Sequence, residues 1–285
     1  MPDVAGVEHR FVEANGVRMH VAEAGEGEPL VMLHGWPQHW YEWRHLIPPL
    51  AERYRVICPD LRGLGWTEAP RDGYEKENLA TDVLSLLDEL DVDRFRLVGH
   101  DWGGWVGFLI ALREPERVER YIALNIYPPF TEVTPAAVLR IWRFWYQWVI
   151  AAPGAGQWIV RNVAASNPVF RWVGADVWSV EERDAFRGVL SDPDRARASV
   201  QYYRSLQLRE MPALICGRYR HARLRTPTLI LFGTEDHVLR PEGLEGAERH
   251  ADDLTIELLP GVGHFVADEV PDVVRDRALA FFGDS

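Results

Sequence analysis

Residues Leu97 to Gly104 read Leu-Val-Gly-His-Asp-Trp-Gly-Gly, with glycines two before and two after an aspartate in the pattern G-x-D-x-G. A strand-like run, Arg94 to Val98, leads into this octamer, and a helix-like run, Trp105 to Arg113, leaves it. A strand that turns straight into a helix crowds its own backbone, so the flanking positions must lack a Cβ. Such a turn lifts the central side chain, Asp101, clear of the sheet. A carboxylate there is ionised at neutral pH and attacks an sp3 carbon without a base to activate it. The plainer alternative is an aspartate capping a helix N-terminus, a common use of the residue.

Along the rest of the chain, strand and helix patterns alternate. His9 to Ala14 and Val17 to Ala24 flank Asn15-Gly16 and predict a hairpin with a type I′ turn. Pro29 to Leu33 and Tyr54 to Cys58 are short apolar strands, and Tyr41 to Arg53 between them carries helical spacing. Glu77 to Leu90 is a helix with apolar residues at Leu79, Val83, Leu86, Leu87 and Leu90. Val118 to Asn125 is the next strand. Thr226 to Phe232 and Leu254 to Leu259 follow much later, and Phe265 to Phe282 reads as a closing helix. The alternation predicts an α/β protein with a mostly parallel sheet, helices on both faces and right-handed crossovers. It stops near Tyr127-Pro128-Pro129. From Thr131 to Gly217 no strand pattern stands out, while Val138, Ile141, Trp142, Trp145 and Val149 recur at helical spacing and Asp194 to Leu208 reads as a helix. We expect a core of residues 1–130 and 218–285 with an all-helical lid, 131–217, inserted in it. Six of the chain's twelve tryptophans lie between Trp142 and Trp178. Arg140, Arg143 and Pro153 break up that aromatic run and argue against an interfacial membrane helix.

Two later loops add chemistry. The strand Leu229 to Phe232 runs into Gly233-Thr234-Glu235-Asp236-His237, and Leu259 to Phe265 presents His264. Both follow strands of the same sheet as Asp101, and loops at the carboxyl ends of such strands line one crevice. Asp101, Asp236 and His264 thus form a candidate nucleophile, acid and base, with Glu235 as the rival acid. His34-Gly35-Trp36-Pro37 follows the third strand, and Arg62-Gly63-x-Gly65 reads as a structural turn whose arginine pairs internally.

The order Asp101, Asp236, His264 is the chain order of the α/β-hydrolase fold. Over essentially its whole length the chain resembles an epoxide hydrolase of the α/β-hydrolase superfamily. The matching residues are His34-Gly35-Trp36-Pro37, Gly99-His100-Asp101-Trp102-Gly103-Gly104, and two lid tyrosines. Tyr146-Gln147, seven residues before Pro153-Gly154, resembles the site of the first tyrosine. Gln201-Tyr202-Tyr203-Arg204 resembles that of the second and points to Tyr203 rather than Tyr202. The resemblance implies that Asp101 attacks the epoxide while Tyr146 and Tyr203 protonate its oxygen. His264, held by Asp236, would activate the water that hydrolyses the ester to a vicinal diol. The backbone N–H groups of Trp36 and Trp102 would form the oxyanion hole. It implies no cofactor, and the sequence shows no metal-ligand spacing. Trp-lined walls would favour an apolar epoxide.

Haloalkane dehalogenases share the Asp elbow and the ester intermediate, but many place asparagine where this chain has Trp36. Fluoroacetate dehalogenases carry arginines at the positions of Trp102 and Trp105. A serine esterase is disfavoured because Asp occupies the elbow. A binding protein that lost turnover places no demand on Asp101, Asp236 and His264 together. A net charge of −12 argues against nucleic acid and anionic membranes as partners. The charged N-terminus, the lack of a long apolar run and the two cysteines, Cys58 and Cys216, lead us to expect a cytoplasmic protein without a membrane span. An aromatic lid surface would suit a homodimer, although no feature requires one.

Overall fold

The computed structural model describes residues 1–131, 141–166 and 177–283. Eight strands form one sheet in the order β1-β2-β4-β3-β5-β6-β7-β8. They are β1 (Glu8–Ala14), β2 (Val17–Ala24), β3 (Glu28–Leu33), β4 (Tyr54–Pro59), β5 (Phe95–His100), β6 (Val118–Leu124), β7 (Thr228–Gly233) and β8 (Leu254–Leu259). β2 pairs antiparallel with β1 and β4, and all the other pairs are parallel. The β1–β2 turn has Asn15 and Gly16 both at positive φ, 47° and 69°, as a type I′ turn requires.

Side-chain alternation in the central strands splits the core in two. Val31, Leu33, Ile57, Leu97, Ala123, Ile230 and Phe232 face one way. Leu30, Met32, Val56, Cys58, Val98, Ile122, Leu124, Leu229 and Leu231 face the other. Strands apolar on both faces need cover on both. Helices α2 (Lys76–Glu89) and α3 (Asp101–Arg113) cover the first face. α1 (Ile47–Ala51) and the C-terminal helix α10 (Pro271–Gly283) cover the second. The predicted stripe on α2 (Leu79, Val83, Leu86, Leu87), with Leu90 just past its end, is buried, and each such side chain contributes about 2 kcal/mol of burial.

Two predicted helices are broken by proline. Tyr41 to Arg53 splits into a 3-10 turn, Trp40–Trp43, and the five-residue α1, whose first turn holds Pro48 and Pro49. The closing helix splits into α9 (Val266–Glu269) and α10, because Pro271 pushes Val270 out of helical geometry to φ −137°.

Between β6 and β7 the described residues carry helices and no named strand. A 3-10 turn, Ile141–Phe144, leads to α4 (Trp145–Ala151) and α5 (Ala155–Ser166). Beyond them lie α6 (Val180–Leu190), α7 (Pro193–Ser205) and α8 (Met211–Ile215). Val138 and Arg140, which belong to the predicted aromatic helix, lie outside the described residues. Ser179 and Glu182 form a capping box on α6, and the Asp192 side chain accepts the Asp194 and Arg195 N–H groups to start α7. Tyr202 Oη donates to the Arg62 carbonyl (2.9 Å), Arg195 Nε to the Gly65 carbonyl (2.6 Å) and Trp36 Nε1 to Ser199 Oγ (3.0 Å), so α7 is bound to the sheet's loops. Among the described residues no helix is long and apolar enough to cross a membrane.

Strand order reverses direction at β3, which lies between β4 and β5. The crevice outside the carboxyl ends of strands at such a switch point is where α/β sheets bind ligands. Trp36 follows β3 and Asp101 follows β5.

Candidate active site

Asp101 is the first residue of α3 and sits at φ +48°, while extended His100 takes the N-cap position. The aspartate is therefore strained at the turn rather than capping it. The glycines make this possible. A Cβ on Gly103 would lie 2.1 Å from the Leu33 carbonyl oxygen, and one on Gly99 would lie 2.7 Å from that of Gly103. Gly35 is held to the same limit from the opposite loop, since its Cβ would meet that of Asp101 at 2.6 Å.

The Trp36 N–H donates to Asp101 Oδ2 at 3.0 Å. Its loop is fixed from below. His34 Nε2 accepts the Leu61 N–H (3.0 Å), which leaves the proton on Nδ1 to donate to the Gly35 carbonyl (3.0 Å). Trp36-Pro37 is a cis peptide, and the Gln38 N–H closes the turn onto the Gly35 carbonyl (3.0 Å). Trp102 comes directly after Asp101 in the first turn of α3, where N–H groups have no partner within the helix. Its ring stacks on Trp105, with centroids 5.5 Å apart, and meets Tyr203 edge-on at 5.8 Å.

On the other side of Asp101, His264 Nδ1 donates to Asp236 Oδ2 (2.7 Å), and His264 Nε2 stands 3.9 Å from Asp101 Oδ1. Asp236 is fully buried and Glu235 is exposed, so of these two carboxylates it is Asp236 that meets His264. Asp236 Oδ1 accepts the Val238 and Leu239 N–H groups, at 2.6 and 3.0 Å. Burial pushes the Asp236 carboxyl up, but the His264 ring and the hydrogen bonds from Asn125 and Leu239 outweigh it and hold the group below its ordinary value. Burial likewise opposes a charge on His264, and Asp236 reverses that, so the imidazole lies above its ordinary value.

Asn125 directly follows β6 and sits at φ +40°. It donates Nδ2 hydrogens to Asp236 Oδ2 (2.8 Å) and the Gly263 carbonyl (3.1 Å), and its Oδ1 accepts the Gly233 N–H (2.7 Å). One buried amide thus ties the Asp236 loop to the His264 loop.

Tyr146 of α4 and Tyr203 of α7 are buried, with ring centroids 6.0 Å apart. Tyr203 also meets the Trp36 ring edge-on at 5.3 Å. Burial, together with the Asp101 charge, raises both phenols above their ordinary value and keeps them protonated. The neighbour Tyr202 turns away to the Arg62 carbonyl, and Arg62 pairs with Asp82 through two hydrogen bonds, 2.7 and 2.6 Å long.

Two ion pairs, one buried on both sides and one with a part-exposed carboxylate, were not legible in the sequence. His100 Nδ1 lies 2.9 Å from Glu42 Oε1, and its Nε2 lies 2.9 Å from the His264 carbonyl oxygen. A carboxylate beside one ring nitrogen and a carbonyl at the other favour the charged ring. Although burial opposes it, Glu42 raises the His100 pKa to about 9. The other carboxylate oxygen of Glu42 accepts the Gly35 N–H (3.0 Å). This ion pair joins the loops that carry Trp36, Asp101 and His264. The second pair, Lys76 with Glu210 (2.8 Å), lies behind Trp102. Neither pair has a spacing that marks it, because each forms between separate elements.

Residues 28–158 match the family described as alpha/beta hydrolase fold. The chain is 36% identical over 290 residues to a soluble epoxide hydrolase of Corynebacterium sp. (strain C12), with 97% of each chain covered. It is 30% identical to epoxide hydrolase 4 of Mus musculus, over 95% of this chain and 77% of that one. The crystal structure of epoxide hydrolase VrEH1 from Vigna radiata superposes with a TM-score of 0.84 at 30% identity, covering all of both chains. With this fold and these relatives, the chain is a hydrolase that belongs to the epoxide hydrolases of the α/β-hydrolase superfamily.

Proposed function

We propose that the protein opens an apolar epoxide to a vicinal diol through an ester on Asp101. The observation that carries this is the juxtaposition of an anchored carboxylate with two protonated phenols. Asp101 Oδ2 is held by the Trp36 N–H, which leaves Oδ1 as the attacking atom. Tyr146 and Tyr203 serve as the acids. Attack on one epoxide carbon breaks its bond to oxygen, and the oxygen takes a proton from a tyrosine as negative charge develops on it. An alcohol remains on the other carbon. Two phenols suit a basic leaving oxygen better than they suit a halide, which favours this function over haloalkane dehalogenation.

His264 then takes a proton from water, and the resulting hydroxide attacks the ester carbonyl of Asp101. Asp236 stabilises the imidazolium that forms. Charge on the carbonyl oxygen falls to the N–H groups of Trp36 and Trp102. Collapse expels the diol alkoxide, which takes the proton that the hydroxide brought to the Asp101 carboxyl, so Asp101 returns as a carboxylate, and the imidazolium proton goes back to the tyrosinate left by ring opening. Alkylation also prepares the base. It removes the Asp101 charge, one of the influences that raise His264, so the imidazole is more readily neutral when it is needed.

In this scheme residues 131–217 act as the lid over a core of 1–130 and 218–285, since α4 and α7 supply the two acids and much of the aromatic wall. The two free cysteines, buried Cys58 and exposed Cys216, fit a reducing, cytoplasmic setting.

The test is a single turnover with enzyme in excess over an aryl- or alkyl-substituted epoxide in 18O-labelled water. The ester route yields unlabelled diol and places the label on Asp101. Label in the diol on the first turnover would show direct attack by water and overturn the mechanism. No diol from any apolar epoxide, with ligand affinity retained in Asp101→Asn, would instead support a binding protein.

A further inference from the structure

Lys76, the first residue of α2, is fully buried. Its Nζ donates to the Tyr202 carbonyl (2.7 Å), to Glu210 Oε2 (2.8 Å) and to Ser205 Oγ (3.2 Å), which uses all three ammonium hydrogens. Its backbone N–H donates to Glu210 Oε1 (2.7 Å). The ammonium also stands 4.4 Å from the centroid of the Trp102 ring.

Three features give this arrangement a direction. The Tyr202 carbonyl belongs to the peptide bond whose nitrogen is that of Tyr203, so Lys76 grips the backbone at the root of that phenol. Glu210 closes a π-helical turn, Leu206–Glu210, that widens the helix just after Tyr203, and such turns recur at functional sites. The third is the face of Trp102, whose edge contact with Tyr203 completes a chain from the ammonium to the phenol. An internal ion pair also adds little net stability over an apolar pair of the same size. Apolar residues at both Lys76 and Glu210 would pack here without the cost of desolvating two charges, so the pair calls for another reason.

We propose that Lys76, locked by Glu210, is a positioning residue for ring opening: it fixes the Tyr203 phenol, and the Trp102 ring beside it, relative to Asp101. This rests on Tyr203 being an acid for the epoxide. The effect of losing Lys76 then falls on formation of the Asp101 ester and spares its hydrolysis, which depends on His264, Asp236 and the backbone N–H groups of Trp36 and Trp102 rather than on the Trp102 ring or the Tyr203 phenol.

The experiment measures ester formation and ester decay in single turnovers for the parent, Lys76→Met, Tyr203→Phe and the double variant. Lys76→Met is expected to slow ester formation about 10- to 100-fold and to change decay by less than about twofold. In the Tyr203→Phe background the same change costs nothing further. Equal slowing of both steps, full additivity with Tyr203→Phe, or no effect on ester formation would each overturn the proposal. If Lys76→Met does not fold, Glu210→Gln in the same cycle keeps the lysine and loosens its lock. It should slow ester formation selectively and show the same non-additivity, and its failure to do so would be equally decisive. Absence of any ester in the parent would refute the epoxide mechanism itself, whereas an ester in the parent with an unaffected Lys76→Met refutes only the positioning role.

Discussion

Replacing Asp236 by asparagine should disable the base through its tautomer rather than its position. Asp236 Oδ1 accepts two backbone N–H groups, from Val238 and Leu239. An asparagine would place its single carbonyl oxygen there and turn its NH2 toward His264 and Asn125. Asn125 cannot rotate to receive it, because its oxygen is taken by the Gly233 N–H and its other hydrogen by the Gly263 carbonyl. His264 Nδ1 would then accept instead of donate, and the ring proton would move to Nε2, facing Asp101. A base with its proton on the reacting nitrogen cannot take another. Diol release should fall about 10³- to 10⁴-fold, the size of effect a misassigned tautomer has in comparable triads. Ester formation should continue, so the Asp101 ester accumulates. The Asn125 hydrogen left facing another donor costs about 1–3 kcal/mol, which lowers the Tm of a chain this size by about 2–8 °C. Rapid acid quench with mass detection of the intact protein follows the ester, and calorimetry follows the Tm. Diol release near the parent rate, or loss of release with no ester present, would refute the argument.

Other consequences follow from the same geometry. Tyr146→Phe and Tyr203→Phe should each slow ester formation about 10²-fold or more. Tyr202→Phe, which loses only a hydrogen bond to the Arg62 carbonyl, should leave it within about twofold and lower stability by about 1 kcal/mol. Single-turnover rates and melting curves separate the three. The Glu42–His100 pair should make stability depend on pH. His100 is raised to about 9 in the fold from an unfolded value near 6.5, so its contribution, about 3 kcal/mol, is complete below pH 6.5 and fades as pH rises through about 9. Glu42→Gln should flatten the fall in Tm between pH 7 and 10, and an unchanged slope would deny the pair a charged state.

How far the sequence carries depends on the kind of interaction. The turn at Asp101 is legible because backbone crowding forces glycine at Gly99 and Gly103, and the sheet because strands buried on both faces are apolar throughout. Asp236 and Glu235 are adjacent carboxylates that local sequence does not separate, and the chain's folding brings Asp236 to His264 while Glu235 is exposed. Tyr203 was separated from Tyr202 only by its neighbours in the motif, while the structure separates them by partner. Helical spacing over Tyr41 to Arg53 and Phe265 to Phe282 misled where Pro48, Pro49 and Pro271 remove donors the helix needs. Asn125 reads in the sequence only as the end of a strand, yet its side chain holds both the Asp236 carboxylate and the Gly263 carbonyl. Glu42, His100, Lys76 and Glu210 carry no local signal, since their meaning lies in contacts between segments far apart in the chain.

His264→Gln removes the base, leaves Asp101, Tyr146 and Tyr203 in place, and traps whatever Asp101 attacks. The variant is incubated separately with apolar epoxides and with haloalkanes, and the intact mass and the Asp101 peptide are read. A gain equal to the whole epoxide, located on Asp101, is the predicted result. A gain equal only to the alkyl part of a haloalkane, with free halide and no epoxide adduct, would contradict it and make the protein a dehalogenase.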